Sequence, residues 1–224
     1  MTDSTDTDLE HVLDVSARYY EALANALGDT VEIDSHRNLL AQGTVSVVLE
    51  HGVSILSLVE RGFLASATVL LRAQFEALVR ASWLHYCADD TWIERYFAAL
   101  QKNPAKDPNI SRGMDDMLAD ITARAPSALA NILQPLKQSA WGPLNPYVHS
   151  GIHAIVHQHA GAPAEFSIAT LRNSNGLSGM AATLTSILTQ NRDTMLAVTA
   201  IQHEHLDCLP PLNPTPTPPP NSPA

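Results

Sequence analysis

The chain reads as all-α, a single up-and-down bundle of about six to eight helices. Two observations carry this. Apolar residues recur every three or four positions over long stretches, and no run alternates at strand period over a useful length. Residues 63–88, FLASATVLLRAQFEALVRASWLHYCA, are apolar round almost the whole helical wheel, the mark of a helix at the centre of a bundle. At about 100° per residue, the charges of that segment gather on one stripe, Arg72, Glu76 and Arg80, with Val69 and Trp83 among them.

The first amphipathic helix spans residues 7–27, through Leu9, Val12, Leu13, Tyr19, Tyr20 and Leu23, with Gly28 as its stop. Asp34 or Ser35 caps the second, which runs to about Arg61; Gly43 and Gly52 inside it read as points of close helix packing. Gly62 separates it from the central helix. A short helix follows over 91–101, then a proline-containing loop over 102–109, and two shorter helices over 111–124 and 127–138. Residues 139–146 (SAWGPLNP) read as a loop and 147–160 as a histidine-rich helix. Residues 161–174 read as a connection, and 175–206 as one long, largely buried final helix. The domain is therefore 7–208, between a disordered start over 1–6 and a disordered proline-rich tail over 209–224.

Charge and cysteine content exclude some functions. A net charge of −10 disfavours broad binding to nucleic acid, which depends on Lys and Arg neutralising phosphates, but leaves room for a local basic pocket. Cys87 and Cys208 form no CxxC pair and read as free thiols of a cytoplasmic protein. The acidic N-terminus has no signal-peptide pattern, and charged or amide residues interrupt the apolar stretches, so no membrane partner is expected.

Two stretches could carry chemistry. Glu76 can bridge Arg72 and Arg80, either as a structural network or so that the guanidinium groups stand ready for an anion. In residues 145–159, NPYVHSGIHAIVHQH, His149, His153 and His157 recur at four-residue spacing and share one face. Asn145 fits an N-cap and Pro146 a first helical turn, which would put His149 at a positive helix end and favour its neutral form. A neutral imidazole serves as general base or ligand. The expected catalytic group is His149 with Arg72, Arg80 and Glu76; Asn145 and His153 are the expected ligand-binding residues, with no cofactor and no metal. A metal reading would use His149, His153, His157 and Glu76, although neither HExxH nor a pair of Glu-x-x-His motifs is present. His203 and His205 read as solvated.

VLLRAQFEALVRASWLHYCA followed downstream by LNPYVHSGIHAI resembles an uncharacterised bacterial family that pairs an Arg-x-x-x-Glu-x-x-x-Arg helix with an Asn-x-x-x-His-x-Gly segment. More distantly it resembles the HEPN superfamily of helical nucleotide-binding and ribonuclease domains. That resemblance implies an HEPN-like bundle, an RNA or nucleotide ligand, metal-independent ribonuclease-like chemistry, and a place in a bacterial toxin–antitoxin or defence system. A homodimer or an antitoxin-like protein is the expected partner. HEPN ribonucleases carry an arginine a few residues before the histidine, whereas here Gly142, Pro143 and Leu144 stand in that region. A non-catalytic binding or interaction module therefore stays open beside the enzyme, with the histidine-rich metal-binding bundle as a third reading.

Overall fold

The computed structural model describes residues 3–28, 35–102, 112–148, 155–157, 159 and 161–211. Glycines and caps set the limits of the first helices. Helix α1 (Asp3–Leu27) ends at Gly28, whose φ of +67° is the left-handed conformation that lets the chain leave a helix. Helix α2 (His36–Glu60) begins at Ser35, whose Oγ accepts from the Asn38 amide at 3.2 Å. Gly62, at φ +77°, turns the chain into α3 (Leu64–Tyr86). Then come α4 (Asp90–Lys102), α5 (Met114–Arg124), α6 (Ser127–Val148), α7 (Ala164–Leu188) and α8 (Arg192–Glu204), and a 3-10 turn at Leu206–Cys208. Residues 155–157 are helical, and no strand occurs among the described residues. The all-α bundle expected from the sequence is what is found.

Helix α1 begins at Asp3, four residues before the start expected at Thr7 and inside the stretch read as disordered. Three further boundaries differ from the sequence reading. The expected loop over 139–146 is helix, because α6 continues to Val148. Pro143 and Pro146 each remove one amide donor, but the neighbouring donors can still sustain the helical ladder. The expected connection over 161–174 is mostly helix too, with Pro163 at the cap position of α7. Its buried face uses Thr170, Leu171, Ser174, Asn175 and Ser178, so small polar side chains occupy positions where an apolar rhythm would have revealed a helix. The single final helix is two. Gln190 takes φ +52°, and the Asn191 side chain accepts from the Thr194 amide at 3.0 Å to start α8. The first of the two is deeply buried, whereas Val198 is the one fully buried residue of α8.

Helix α3 is central, packed against α2, α5, α6 and α7. It buries Leu71, Phe75, Leu78, Val79, Ala81 and Leu84. Helix α2 is long and apolar enough to cross a membrane by length and composition alone, and here it sends Ala41, Val45, Val48, Ile55 and Val59 into the core. Within that core lies a polar layer to which four helices contribute. Gln74 Nε2 on α3 is 3.1 Å from the Val48 carbonyl, 3.2 Å from the Ser174 carbonyl and 3.0 Å from Ser178 Oγ. Tyr20 Oη on α1 lies 3.0 Å from Ser178 Oγ and 3.4 Å from Ser174 Oγ. Gly52 makes the space for this layer. A Cβ there would come within 2.5 Å of Tyr20 Oη, closer still to Ser178 Oγ, and within 3.0 Å of Gln74 Nε2.

Gly52→Ala is therefore expected to lower unfolding stability by about 2 kcal/mol, through overpacking and lost hydrogen bonds, despite alanine's better helix propensity. Urea unfolding checks this; a midpoint at or above the wild-type value would show that the layer accommodates the methyl group freely.

Candidate functional site

The charged stripe of α3 is placed by the helix that carries it. Arg72 Nε donates to Glu76 Oε1 at 2.9 Å, one turn along, with the two side chains 21% and 42% exposed. Arg80, a further turn on, is partly exposed and has neither an ion pair nor a hydrogen bond among the described residues. Glu76 thus joins one of the two arginines it could bridge.

Of the other expected site residues, His149 and His153 lie outside the described residues, as does the side chain of Asn145. The backbone of Asn145 falls in the last turn of α6, not at a helix start, so the N-cap expected there is absent. His157 packs edge-on against Phe166 with ring centroids 5.3 Å apart. Among the described residues no three His, Cys, Asp or Glu side chains cluster as metal ligands would. His205 is not simply solvated: its Nδ1 donates to the Ile201 carbonyl at 2.8 Å and its ring packs against Tyr19.

Trp83 stands on nearly the same side of α3 as Arg72, and it marks a charged cluster that was not anticipated. Its Nε1 donates to Asp120 Oδ2 on α5 at 2.8 Å. Arg112 Nε lies 2.7 Å from the same oxygen, and an Arg124 nitrogen lies 2.8 Å from Oδ1. Arg124 also donates to the Cys87 carbonyl at 2.9 Å, tying α5 to the end of α3. Burial alone would raise the Asp120 pKa; the bonds from Trp83 and Arg124 and the charge of both arginines outweigh it and hold the carboxyl below the usual range. The sequence carried one signal for this cluster, an indole on a polar stripe, whose N–H must find an acceptor when buried. Nearby, Arg37 on α2 donates to the Leu84 carbonyl at 2.6 Å and pairs with Asp90, capping the C-terminal end of α3. Burial first, and then the Arg37 charge, lower the pKa of His85 at that end.

Two cavities are described away from the stripe. One, of about 570 Å³, is lined by Ile132, Leu136, Leu177, Met180, Gln202 and Leu209 among others. The other, of about 450 Å³, includes Asp8, His11, Glu165 and Arg172. The larger holds amide groups but no titratable side chain apart from the buried Tyr19, so it suits packing or an apolar ligand better than acid–base chemistry.

Asp120 gives a pH prediction with a definite sign. Because its folded-state pKa is depressed, its stabilisation is complete above the unfolded value of about 4 and is lost as pH falls through the folded value. Asp120→Asn should accordingly cost stability at pH 7, and the gap to wild type should narrow as pH falls below about 4. Urea midpoints across that range test this; a constant difference between the two proteins would remove Asp120 as the linked group.

The chain has no significant match to a curated protein or to a solved structure. A family model does match, over residues 45–211, most of the bundle including α3. The chain accordingly belongs to DUF6988, a family of unknown function.

Proposed function

We propose that this protein binds a small phosphate-bearing ligand, of the nucleotide class, on the charged stripe of α3. The observation that carries the reading is Arg80: a partly exposed guanidinium on a central helix, next to a carboxylate that pairs with Arg72 instead. A planar guanidinium offers paired donors that fit phosphate oxygens. Glu76 holds the neighbouring Arg72 in a fixed orientation, so the ligand would meet a partly organised site. The net charge of −10 supports a small ligand over a long polyanion, since most of the surface would repel a nucleic-acid backbone.

The resemblance to HEPN domains extends this reading to catalysis. In that form His149 would take a proton from a ribose 2′-hydroxyl, Arg72 and Arg80 would stabilise charge developing on phosphorus, and no metal would be needed. Such an activity would suit a toxin or defence system. It is the co-occurrence of the Arg/Glu helix with the histidine segment in one sequence that favours it.

Calorimetric titration with ATP, GTP and their monophosphates is the direct test. Binding to the wild type should weaken at least tenfold in Arg80→Ala and less in Glu76→Gln, which loosens Arg72 without removing it. No heat with any nucleotide, or equal affinity in Arg80→Ala, would overturn the binding reading. Expression of wild type and His149→Ala with total RNA on a gel decides the catalytic extension: fragmentation confined to the wild type supports it, and intact RNA in both removes it.

A further inference from the structure

The larger cavity, of about 570 Å³, lies where α6, α7, α8 and the 3-10 turn meet, and among the described residues none of α3 lines it. Protein interiors pack closely and leave few gaps larger than a water molecule, so an opening of this size needs walls that cannot move inward. These walls are held. Pro210 rests directly on Gly176 of α7, where a Cβ would come within 2.9 Å of the proline Cγ. Asn175 Nδ2 donates to the Cys208 carbonyl at 2.9 Å and ties down the turn before that proline. Gly179 admits two more groups of the wall, since its Cβ would stand 2.5 Å from Tyr19 Oη and 2.9 Å from Gln202 Nε2. The polar groups are as defined as the shape. Gln202 Nε2 donates to the Gly179 carbonyl at 3.0 Å, which fixes the way the amide faces. Its Oε1 is left as an acceptor with no hydrogen bond among the described residues, and the side chains of Asn131 and Asn173 on the same wall make none either. Charge is kept apart: the neighbouring cavity shares Asn173, Pro210 and Pro211 and contains Asp8, His11, Glu165 and Arg172, whereas the larger one has no Asp, Glu, Lys, Arg or His on its wall.

We infer that the larger cavity is a binding site for an uncharged, mainly apolar small molecule that carries one hydrogen-bond donor, a hydroxyl or an N–H, for Gln202 Oε1. Its volume falls inside the range of small-molecule pockets, roughly 300–1,000 Å³, and apolar walls with a few placed polar groups are what such pockets offer. Ile132 and Leu206 line it and remain half exposed, so a ligand seated there covers apolar surface that the chain alone leaves in water. A charged ligand would give up its hydration and meet no opposite charge. A ligand with no donor would leave the glutamine oxygen unpaired. The site shares no residue with the charged stripe of α3, so the two assignments stand or fall separately.

N-phenyl-1-naphthylamine is a suitable probe: it is neutral and apolar, carries one N–H, and brightens on leaving water. Fluorescence titration of the full chain should give one saturable site in the micromolar range. The sulfonated analogue 8-anilino-1-naphthalenesulfonate has the same rings and a negative charge, and should bind at least tenfold more weakly. Met180→Trp places a larger ring system on the cavity wall and should weaken the neutral probe at least tenfold with an unchanged far-ultraviolet circular dichroism spectrum. Gln202→Met keeps the wall apolar but removes the acceptor. It should weaken N-phenyl-1-naphthylamine several-fold and leave the N-methylated probe, which has no N–H, unaffected. No saturable binding to the wild type overturns the inference, as does sulfonate binding as tight as that of the neutral probe. Unchanged affinity in folded Met180→Trp, or a Gln202→Met protein that weakens both neutral probes alike, also overturns it. Loss of probe binding as protein concentration rises and dimers form would overturn it and assign the cavity to a second copy.

Discussion

The bundle depends on one buried amide. Gln74 lies at the middle of the central helix, fully enclosed, and an amide there is stable only with hydrogen-bond partners. Its nitrogen finds them on two other helices, at the Val48 carbonyl of α2 and at Ser174 and Ser178 of α7. Those contacts fix the axial position of three helices at once, because sliding any of them would leave the amide hydrogens unpaired. Apolar side chains tolerate such shifts far better, since dispersion and burial have no preferred direction. Gln74 Oε1 remains without a partner among the described residues, so the arrangement favours a unique register more than maximal stability.

A second polar layer ties α1 and the 3-10 turn at Leu206–Cys208 to the same scaffold. Asn175 Nδ2 reaches Ser16 Oγ at 2.8 Å and the Cys208 carbonyl at 2.9 Å, and Gln202 Nε2 reaches the Gly179 carbonyl at 3.0 Å. Gly179 has the same role here as Gly52 above, since a Cβ on it would come within 2.5 Å of Tyr19 Oη. Burial pushes the Tyr20 phenol up to about 12, and the Tyr19 phenol higher, so both stay neutral and serve as hydrogen-bonding groups in the core. The Cys208 thiol is raised to about 11 by burial, and both it and Cys87 are enclosed, which disfavours the thiolate.

Much of this was legible in the sequence because apolar periodicity and glycine punctuation report directly on helices. Ser35, Gly28 and Gly62 mark helix limits where the sequence places them, and the apolar wheel of residues 63–88 foretells a central helix. The start of α7 was hidden because serine, threonine and asparagine line its buried side, and their burial makes sense only once Tyr20 and Gln74 are known to face them. Long-range partners of this kind leave no local pattern. The two glycines of α2 looked alike in sequence and differ in space, one crowded by three side chains and the other open. At the charged stripe, spacing showed that Glu76 could meet either arginine; which it joins depends on side-chain packing that spacing does not encode.

The polar layer has a kinetic implication. Tyr20 and Ser178 are separated by 158 residues, and Gln74 and Ser178 by 104. Helices α1 to α3 emerge from the ribosome long before the serines that complete the layer, so for most of synthesis Tyr20 and Gln74 have only part of their final environment. A nascent bundle with those groups still solvated gains little from closing early, because their desolvation would go uncompensated. Final closure therefore waits for α7, so a helix made late in the chain decides when α1 becomes locked.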